Sequence, residues 1–294
     1  MNKKLYKNEN FWLIIFTLPA FIFYLLFKLG PAFGGLWYSF TNWNGINPNY
    51  KLIGMQNYIE IFSNDTFFWN SMWVTLKFVL VIVVLENIIA LLLAILIESK
   101  KRSKGIFRTI FYMPNMISMV IGAYMWMFIF TEVLYFIAKN SALKFLDQSW
   151  IGDPTYSFIA IVIVSIWGGV GYLMVIYIAA LQGVSPSMKE AADIDGANNF
   201  QKFHFVVLPT IRYAITICIF ITLNSSFQIF DVVYSLTGGG PGRATQVVAI
   251  NIFEEAFGRN NRFGYASAKS MLLFAVIMLI TVLQLKIMKS KEVD

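Results

Sequence analysis

Side chains able to act as nucleophiles or metal ligands are scarce in this sequence. It holds one cysteine, Cys218, and one histidine, His204. An internal disulfide and a Cys/His metal site are thereby excluded, and a Ser-His-Asp set would have to be built on a histidine lying in a polar loop. The glycine-rich stretch SLTGGGPGRATQ at 235–246 has the composition of a phosphate cradle but lacks its pattern: a P-loop ends in Lys-Ser or Lys-Thr, where this chain has Arg243 and Ala244. Gly238 reads instead as the left-handed residue that closes a helix. What remains is a set of hydroxyls, amides and one carboxyl in apolar surroundings. In ITICIFITLNSSFQIFDVVYS, Thr222 and Ser226 stand one helical turn apart, with Ser225 and Gln228 beside them and Asn224 pointing elsewhere. In SIWGGVGYL, the residues Ser165, Gly169 and Tyr172 share a helix face, and Gly168, Gly169 and Gly171 allow close approach. Uncharged hydroxyls and amides can hydrogen-bond a neutral polyol while aromatics cover its apolar face, and the same spacing also makes a helix-packing seam. Glu86, beside Asn87, is the sharpest charge inside an apolar run. It reads as the partner of a group on another subunit, as a carboxyl that stays protonated, or, more weakly, as a proton relay.

The elements that carry these residues are membrane helices. Of the 294 residues 58% are hydrophobic and 13% charged, with a mean hydropathy of +0.65, against about 45–50% and 25% in soluble domains. Six apolar runs approach the ~20 residues that a bilayer core requires: 11–30, 72–97, 107–130, 157–181, 211–235 and 270–288. Lysines 3, 4 and 7 ahead of the first run resemble a secretory leader. The run is long, however, and has no small-x-small cleavage site after it, so it reads as a retained helix, loosened at its outer end by Pro31 and Gly34-Gly35. With the N-terminus in the cytoplasm, the inner side carries Lys3, Lys4, Lys7, Lys100, Lys101, Arg102, Lys104, Arg108, Lys189, Lys202, Arg212, Lys286, Lys289 and Lys291, which is 14 of the 23 basic residues. Lys28 and Lys77 lie at span ends, where they can snorkel. The net charge of +7 is then an orientation signal, not a nucleic-acid footprint.

In that topology 183–210 is a cytoplasmic loop, and its core, KEAADIDGANNFQKFHFVVLP at 189–209, is the polar exception in the chain. Ser185 reads as an N-cap followed by Pro186, and Ser187 with Glu190 has capping-box spacing. One or two turns follow to Ile194, Asp195-Gly196 interrupts, and helix resumes from Ala197 to Val207 with Phe200, Phe203 and Val207 holding it down. Leu208-Pro209 ends it at the membrane edge. A small, alanine-rich knob flanked by Glu190, Asp193 and Asp195 suits docking into a groove of another protein. The other reading is a helix resting on the membrane surface, where basic residues would be expected instead.

This loop resembles the EAA loop of permease subunits of binding-protein-dependent ABC importers: Glu-Ala-Ala, three residues, Gly, nine residues, then aliphatic-x-Leu-Pro. Glu190, Ala191, Ala192, Gly196, Leu208 and Pro209 match, with Val206 where isoleucine is commoner. FRTIFYMP at 107–114, LTGGGPGRAT at 236–245 and FGYASAKS at 263–270 are similar to the carbohydrate-uptake branch, in its maltose- and glycerophosphate-type permeases. The resemblance spans nearly the whole chain. It implies an all-α membrane protein of six transmembrane helices with the type I ABC importer permease fold, as one permease domain over 1–294. It implies that Glu190, Ala191, Ala192, Asp195, Gly196 and Ala197 form the ATPase-coupling loop, and that the 236–245 loop faces an extracytoplasmic solute-binding protein. A gap-free match through the loop places Ser165, Gly169, Tyr172, Thr222 and Ser226 on sugar-contacting positions, with Asn115 a further one; Ser165 and Ser226 stand where asparagines are found.

The expectation is therefore a transport subunit that is not an enzyme, binds no cofactor or metal of its own, and leaves ATP and Mg to a partner. Expected partners are a second related permease, two cytoplasmic ABC ATPases, an extracytoplasmic binding protein, the lipid bilayer and a sugar: oligosaccharide, monosaccharide or an acidic sugar such as sialic acid. The expected location is the bacterial cell membrane with both termini cytoplasmic. The alternative is a proton-coupled secondary transporter of a polar solute, which would carry inverted repeats.

Overall fold

A computed structural model describes residues 3–100, 103–258 and 261–289, with side chains from 12 to 288 among them. In chain order the helices are α1 (Lys3–Tyr24), α2 (Gly30–Tyr38), α3 (Gln56–Asn64), α4 (Thr66–Glu98), α5 (Lys104–Tyr112), α6 (Met119–Phe128), α7 (Leu134–Asn140) and α8 (Pro154–Gln182). They continue as α9 (Pro186–Ile194), α10 (Asn199–Lys202), α11 (Leu208–Thr210), α12 (Arg212–Phe227), α13 (Asp231–Leu236), α14 (Val248–Phe257) and α15 (Phe263–Lys289). Among the described residues the only β pairing is an isolated bridge between Thr41 and Leu52. Among the described residues five helices are long and apolar enough to cross a membrane: Trp12–Tyr38, Thr66–Glu98, Met119–Asn140, Pro154–Gln182 and Phe263–Met288. Asn199–Thr210 and Arg212–Phe227 make a sixth, bent by 69°.

Three of these differ from the runs read in the sequence. The first continues to Tyr38 rather than ending at residue 30, because a π turn at Leu25–Leu29 delivers Pro31 to the start of α2, where its missing N–H costs nothing. Lys28 thus lies within the helix. Lys77 likewise lies well inside α4, its ammonium 5.2 Å from the centre of the Trp73 ring. The third span is Met119–Asn140, not 107–130. Pro114 forces a 3₁₀ turn at Met113–Met116 and Ile117 turns extended, so the stretch before it becomes the separate amphipathic α5. Lys104 and Arg108 on α5 reach Glu98 at the end of α4, at 2.5 and 3.5 Å. The fifth run, 211–235, breaks after Phe227 and restarts at Asp231.

By its contacts the chain packs as two compact units. One comprises Met1–Asp65 with Ile252–Ala275. Its interior carries a buried polar cluster: Lys269, 1% exposed, pairs with Asp65 at 2.8 Å and Glu255 at 3.2 Å, and Tyr265 donates to Asp65 at 2.9 Å. Asn57 Nδ2 donates to the Ser39 and Thr41 carbonyls, pinning the chain after α2.

The other unit, Thr66–Asn251 with Val276–Asp294, is built on α4 and α8. Two apolar clusters lie along this pair. Phe78 and Ile82 pack with Ala160, Ile161 and Val164, while Ala90, Ala94 and Ile97 pack with Leu173, Met174 and Tyr177. The order of these contacts shows that the two helices run in the same direction. Burial of such side chains stabilises by about 1.5–3 kcal/mol each in water, but in lipid, close packing and hydrogen bonds hold helices together. Gly168, Gly169 and Gly171 on α8 each cost about 1 kcal/mol of helix propensity. They return close approach: a Cβ at these positions would collide with Met119, with the Glu86 carboxyl and with the Phe111 carbonyl, respectively.

Candidate functional site

Between the two apolar clusters the packing opens into a cavity of about 290 Å³, near the lower end of the ~300–1,000 Å³ typical of ligand sites. Its wall is assembled from five helices and a turn: Phe78, Ile82 and Glu86 from α4, Asn115 from the 3₁₀ turn, Met119 from α6, Ser165, Gly168 and Gly169 from α8, Ser225 and Ser226 from α12, and Gln228 to Val232 from the break and α13. The break is what admits the last group. Gln228 caps α12, and Phe230 leaves the helical conformation at φ −135° and ψ −57° before α13 begins, so the side chains of 228–231 project where a continuous helix would have carried some of them away.

The polar groups here differ in how they are held. Asn115 Nδ2 donates to the Gly168 carbonyl at 3.3 Å, and Ser165 Oγ donates to the Ile161 carbonyl at 2.8 Å. Ser226 is 4% exposed and Glu86 6%. Glu86 lies over Gly169, the one residue type that leaves room for its carboxyl. Its neighbour Asn87 faces the other way into packing: Tyr177 donates to its Oδ1 at 2.7 Å, and its Nδ2 donates to the Val83 carbonyl at 2.8 Å and to Thr222 Oγ1 at 3.2 Å.

Of the six path residues expected from the sequence, Asn115, Ser165, Gly169 and Ser226 share the cavity wall, and Tyr172 and Thr222 do not. Thr222 is 1% exposed and bonded within the α4–α12 contact, its hydroxyl donating to the Cys218 carbonyl at 2.8 Å. Tyr172 is 41% exposed, one turn beyond Gly168 and Gly169 on α8. Ser225 and Gln228, noted beside the stripe, do line the cavity, and so does Asp231, which the sequence reading passes over. Its signal was the spacing of three residues from Gln228 in FQIFD, hidden by the assumption of an unbroken helix.

The 183–210 segment forms a second region. α9 starts with Ser185 at its N-cap and Pro186 at its first position, but neither serine caps: Ser185 Oγ and Ser187 Oγ bond each other at 2.7 Å. The capping box sits later, at the glycine joint, where Asn198 and Gln201 bond reciprocally at 2.8 and 2.9 Å. Gly196 takes φ +77°, which a side-chain-bearing residue adopts only at a cost. Lys202 on α10 reaches Asp193 on α9 at 2.6 Å and closes the two short helices on each other. Glu190, Ala191, Asp195 and Gly196 are exposed; Ala192 and Ala197 are half-buried. Phe203 and Val207 turn inward, whereas Phe200 is 76% exposed and stacks on His204 rather than anchoring the segment. In the glycine-rich loop, Gly238 takes φ +59° and its N–H donates to the Val233 carbonyl at 3.0 Å, closing α13.

A helical wall around a polar cavity, beside a separate exposed handle, defines a multi-pass membrane permease rather than an enzyme. The chain belongs to the binding-protein-dependent transport system inner membrane component family, whose pattern matches residues 86–289; it is a permease subunit of an ABC importer. It is 38% identical over 99% of its length, and 98% of the relative's, to a probable starch degradation products transport system permease protein of Thermoanaerobacterium thermosulfurigenes. It is 31% identical over 97% of its length, and 98% of the relative's, to a multiple sugar-binding transport system permease protein of Streptococcus mutans. The fold matches that of a chain in a bacterial alginate ABC transporter, solved in complex with an alginate pentasaccharide-bound periplasmic protein. That chain is 21% identical, with a TM-score of 0.82 and 99% of both chains covered.

Proposed function

We propose that this chain forms half of the path by which an ATP-driven importer carries a sugar across the bacterial cell membrane, taking it from an extracytoplasmic binding protein. The observation that carries the reading is the cavity: hydroxyl and amide groups of Asn115, Ser165, Ser226 and Gln228 converge on one space lined on its other sides by Phe78, Ile82 and Phe230. Alternating donors and apolar surface suit a sugar ring, whose edge is polar and whose faces are not. The names of the relatives, for starch products and multiple sugars, support the same class.

In this reading a second, related permease supplies the other half of the path. Two cytoplasmic ATPases bind ATP and Mg, and this chain binds no cofactor. Glu190, Ala191, Ala192, Asp195, Gly196 and Ala197 seat in a cleft of one ATPase, with the termini on the same side. ATP-driven closure moves the segment as a rigid unit, because the Asp193–Lys202 pair and the Asn198 cap tie its halves together. That motion rocks α12, joined to it at the 69° bend, and changes which side of the membrane the cavity meets. The test is reconstitution of the complete transporter with its binding protein in proteoliposomes. Uptake of labelled maltotriose should require internal ATP; uptake driven by a proton gradient without ATP would replace this reading with a secondary transporter.

A further inference from the structure

We infer that Asp231 anchors the solute in the cavity, its carboxylate accepting hydrogen bonds from two adjacent hydroxyls of a sugar ring. The inference rests on the sugar-path reading above and narrows its substrate class to carbohydrates that carry an unsubstituted pair of neighbouring hydroxyls. All four residues between the end of α12 and the first position of α13, Gln228 to Asp231, line the cavity. The helix break therefore brings a carboxamide, an aromatic ring and a carboxylate to one wall within four consecutive positions. The Phe230 ring is steadied by stacking on Tyr234, with 5.1 Å between ring centres. An aromatic ring beside a carboxylate is a combination that suits a sugar, apolar on its faces and rich in donors at its edge.

The polar groups of the wall are not equally available to a solute. Ser165 Oγ donates to the Ile161 carbonyl, Ser225 Oγ to the Thr222 carbonyl at 3.0 Å, and Asn115 Nδ2 to the Gly168 carbonyl. Those donors are occupied by the fold. Glu86 is recessed over Gly169 and only 6% exposed. Asp231 is exposed, and no described residue bonds or pairs with its carboxyl. A carboxylate has two acceptor oxygens and no proton to give, so its complement is a pair of donors set side by side. Adjacent hydroxyls of a pyranose are such a pair, and their bonds to a charged acceptor are stronger than to a neutral one. Water reaches this wall and competes for the same oxygens, so the gain is that of one good pairing and not of a buried ion pair. Asp231 also opens α13, where an acid suits the positive end of a helix. A role confined to the helix would be felt in melting and not in the choice between solutes.

The test uses the complete transporter in nanodiscs without binding protein, so that the membrane path alone does the choosing. Equilibrium dialysis measures retention of labelled maltotriose and of labelled per-O-methylated maltotriose, which keeps the rings and their acceptors but has no hydroxyl to donate. Wild type should retain maltotriose at least tenfold better. Methyl groups also add bulk, so the change in this ratio on substitution decides. Asp231→Asn, which keeps the shape and leaves a single acceptor oxygen, should lower maltotriose retention about tenfold. The methylated probe should stay within about twofold and the melting midpoint should not move. Asp231→Ala, a substitution that a helix accepts, should shift the ratio as far and stands in should the first variant fail to assemble. Equal retention of the two probes by wild type overturns the inference. So does an unchanged ratio in an assembled variant, with or without a fall in melting. Retention of neither probe by wild type removes the sugar reading itself, and the inference with it.

Discussion

The 185–209 segment and the cavity are unfinished in opposite ways. At 185–209 apolar side chains are left outside: Ile194 is 86% exposed, Phe200 76% and Phe205 72%, with Glu190 and Asp195 among them. In the cavity polar side chains are left inside, with Ser226 and Glu86 buried to within a few per cent. Each departs from the ordinary sorting of residues, and each costs stability in the isolated chain. On the function proposed above, the exposed apolar and acidic surface is completed by another protein, and the polar groups left without bonds in the interior by a small solute. The two regions also differ in what holds them. The segment is tied by its own short bonds and by one bend to α12, whereas the cavity exists only because five helices and a turn meet.

If that difference is right, the largest effect comes from the segment. Glu190→Lys should leave membrane insertion and cavity binding intact, yet release the ATPase on detergent extraction and cut ATP-driven uptake by on the order of a hundredfold. Co-purified ATPase with persistent uptake would break the contrast, for the segment would then be mere surface. Next comes Gly169→Leu. The new side chain meets the Glu86 carboxyl and fills space in a cavity of about 290 Å³, so uptake should drop about tenfold while ATPase association, read by co-purification, stays unchanged. Loss of both together would mean that the two regions are not separable.

Asn87→Ala sharpens the comparison within α4. Asn87 belongs to packing, so its loss should be felt as stability and not as selectivity. The hydroxyls of Tyr177 and Thr222 lose a partner, a change of about 2 kcal/mol, or a fall of about 4–8 °C in the melting midpoint of a protein this size. Uptake of labelled maltotriose by the assembled transporter should hold within about twofold, and a tenfold loss with unchanged melting would move Asn87 from packing to the path.

What could be read in the sequence follows the same division. The segment was legible because its matching residues, Glu190 to Pro209, lie within twenty consecutive positions and its glycine joint marks itself by residue type. Its caps were less so: Ser187 and Glu190 have the spacing of a capping box, but the box forms at Asn198 and Gln201, where the backbone turns after Gly196. The cavity was legible only in pieces. Ser165 and Gly169 keep helical spacing on unbroken α8, so periodicity found them together. Thr222 and Ser226 have the same spacing on α12, yet one packs against Asn87 and the other lines the cavity, because the helix leaves the packed cluster between them. Asp231 lies past the break at Gln228–Phe230, where helical period carries no information. The third span was misplaced for a like reason, since Pro114 sits inside an apolar run whose hydropathy does not register the turn it forces.

Tyr172 gives the smallest effect and the finest discrimination. It shares helical spacing with Ser165 and Gly169, so a reading from periodicity alone makes it a third member of the sugar face. In the structure it is 41% exposed and absent from the cavity wall, while its neighbours Leu173 and Met174 are buried. Tyr172 lies about 60° around the helix axis from Gly169 and about 4.5 Å further along it, enough to clear a narrow cavity that Gly169 only edges. Tyr172→Ala should therefore change stability by no more than about 0.5 kcal/mol and leave maltotriose retention by the transporter within about twofold of wild type. A tenfold loss of retention with unchanged melting would mean that the path extends beyond this cavity to the outer face of α8, and that the division between the two regions has been drawn too tightly.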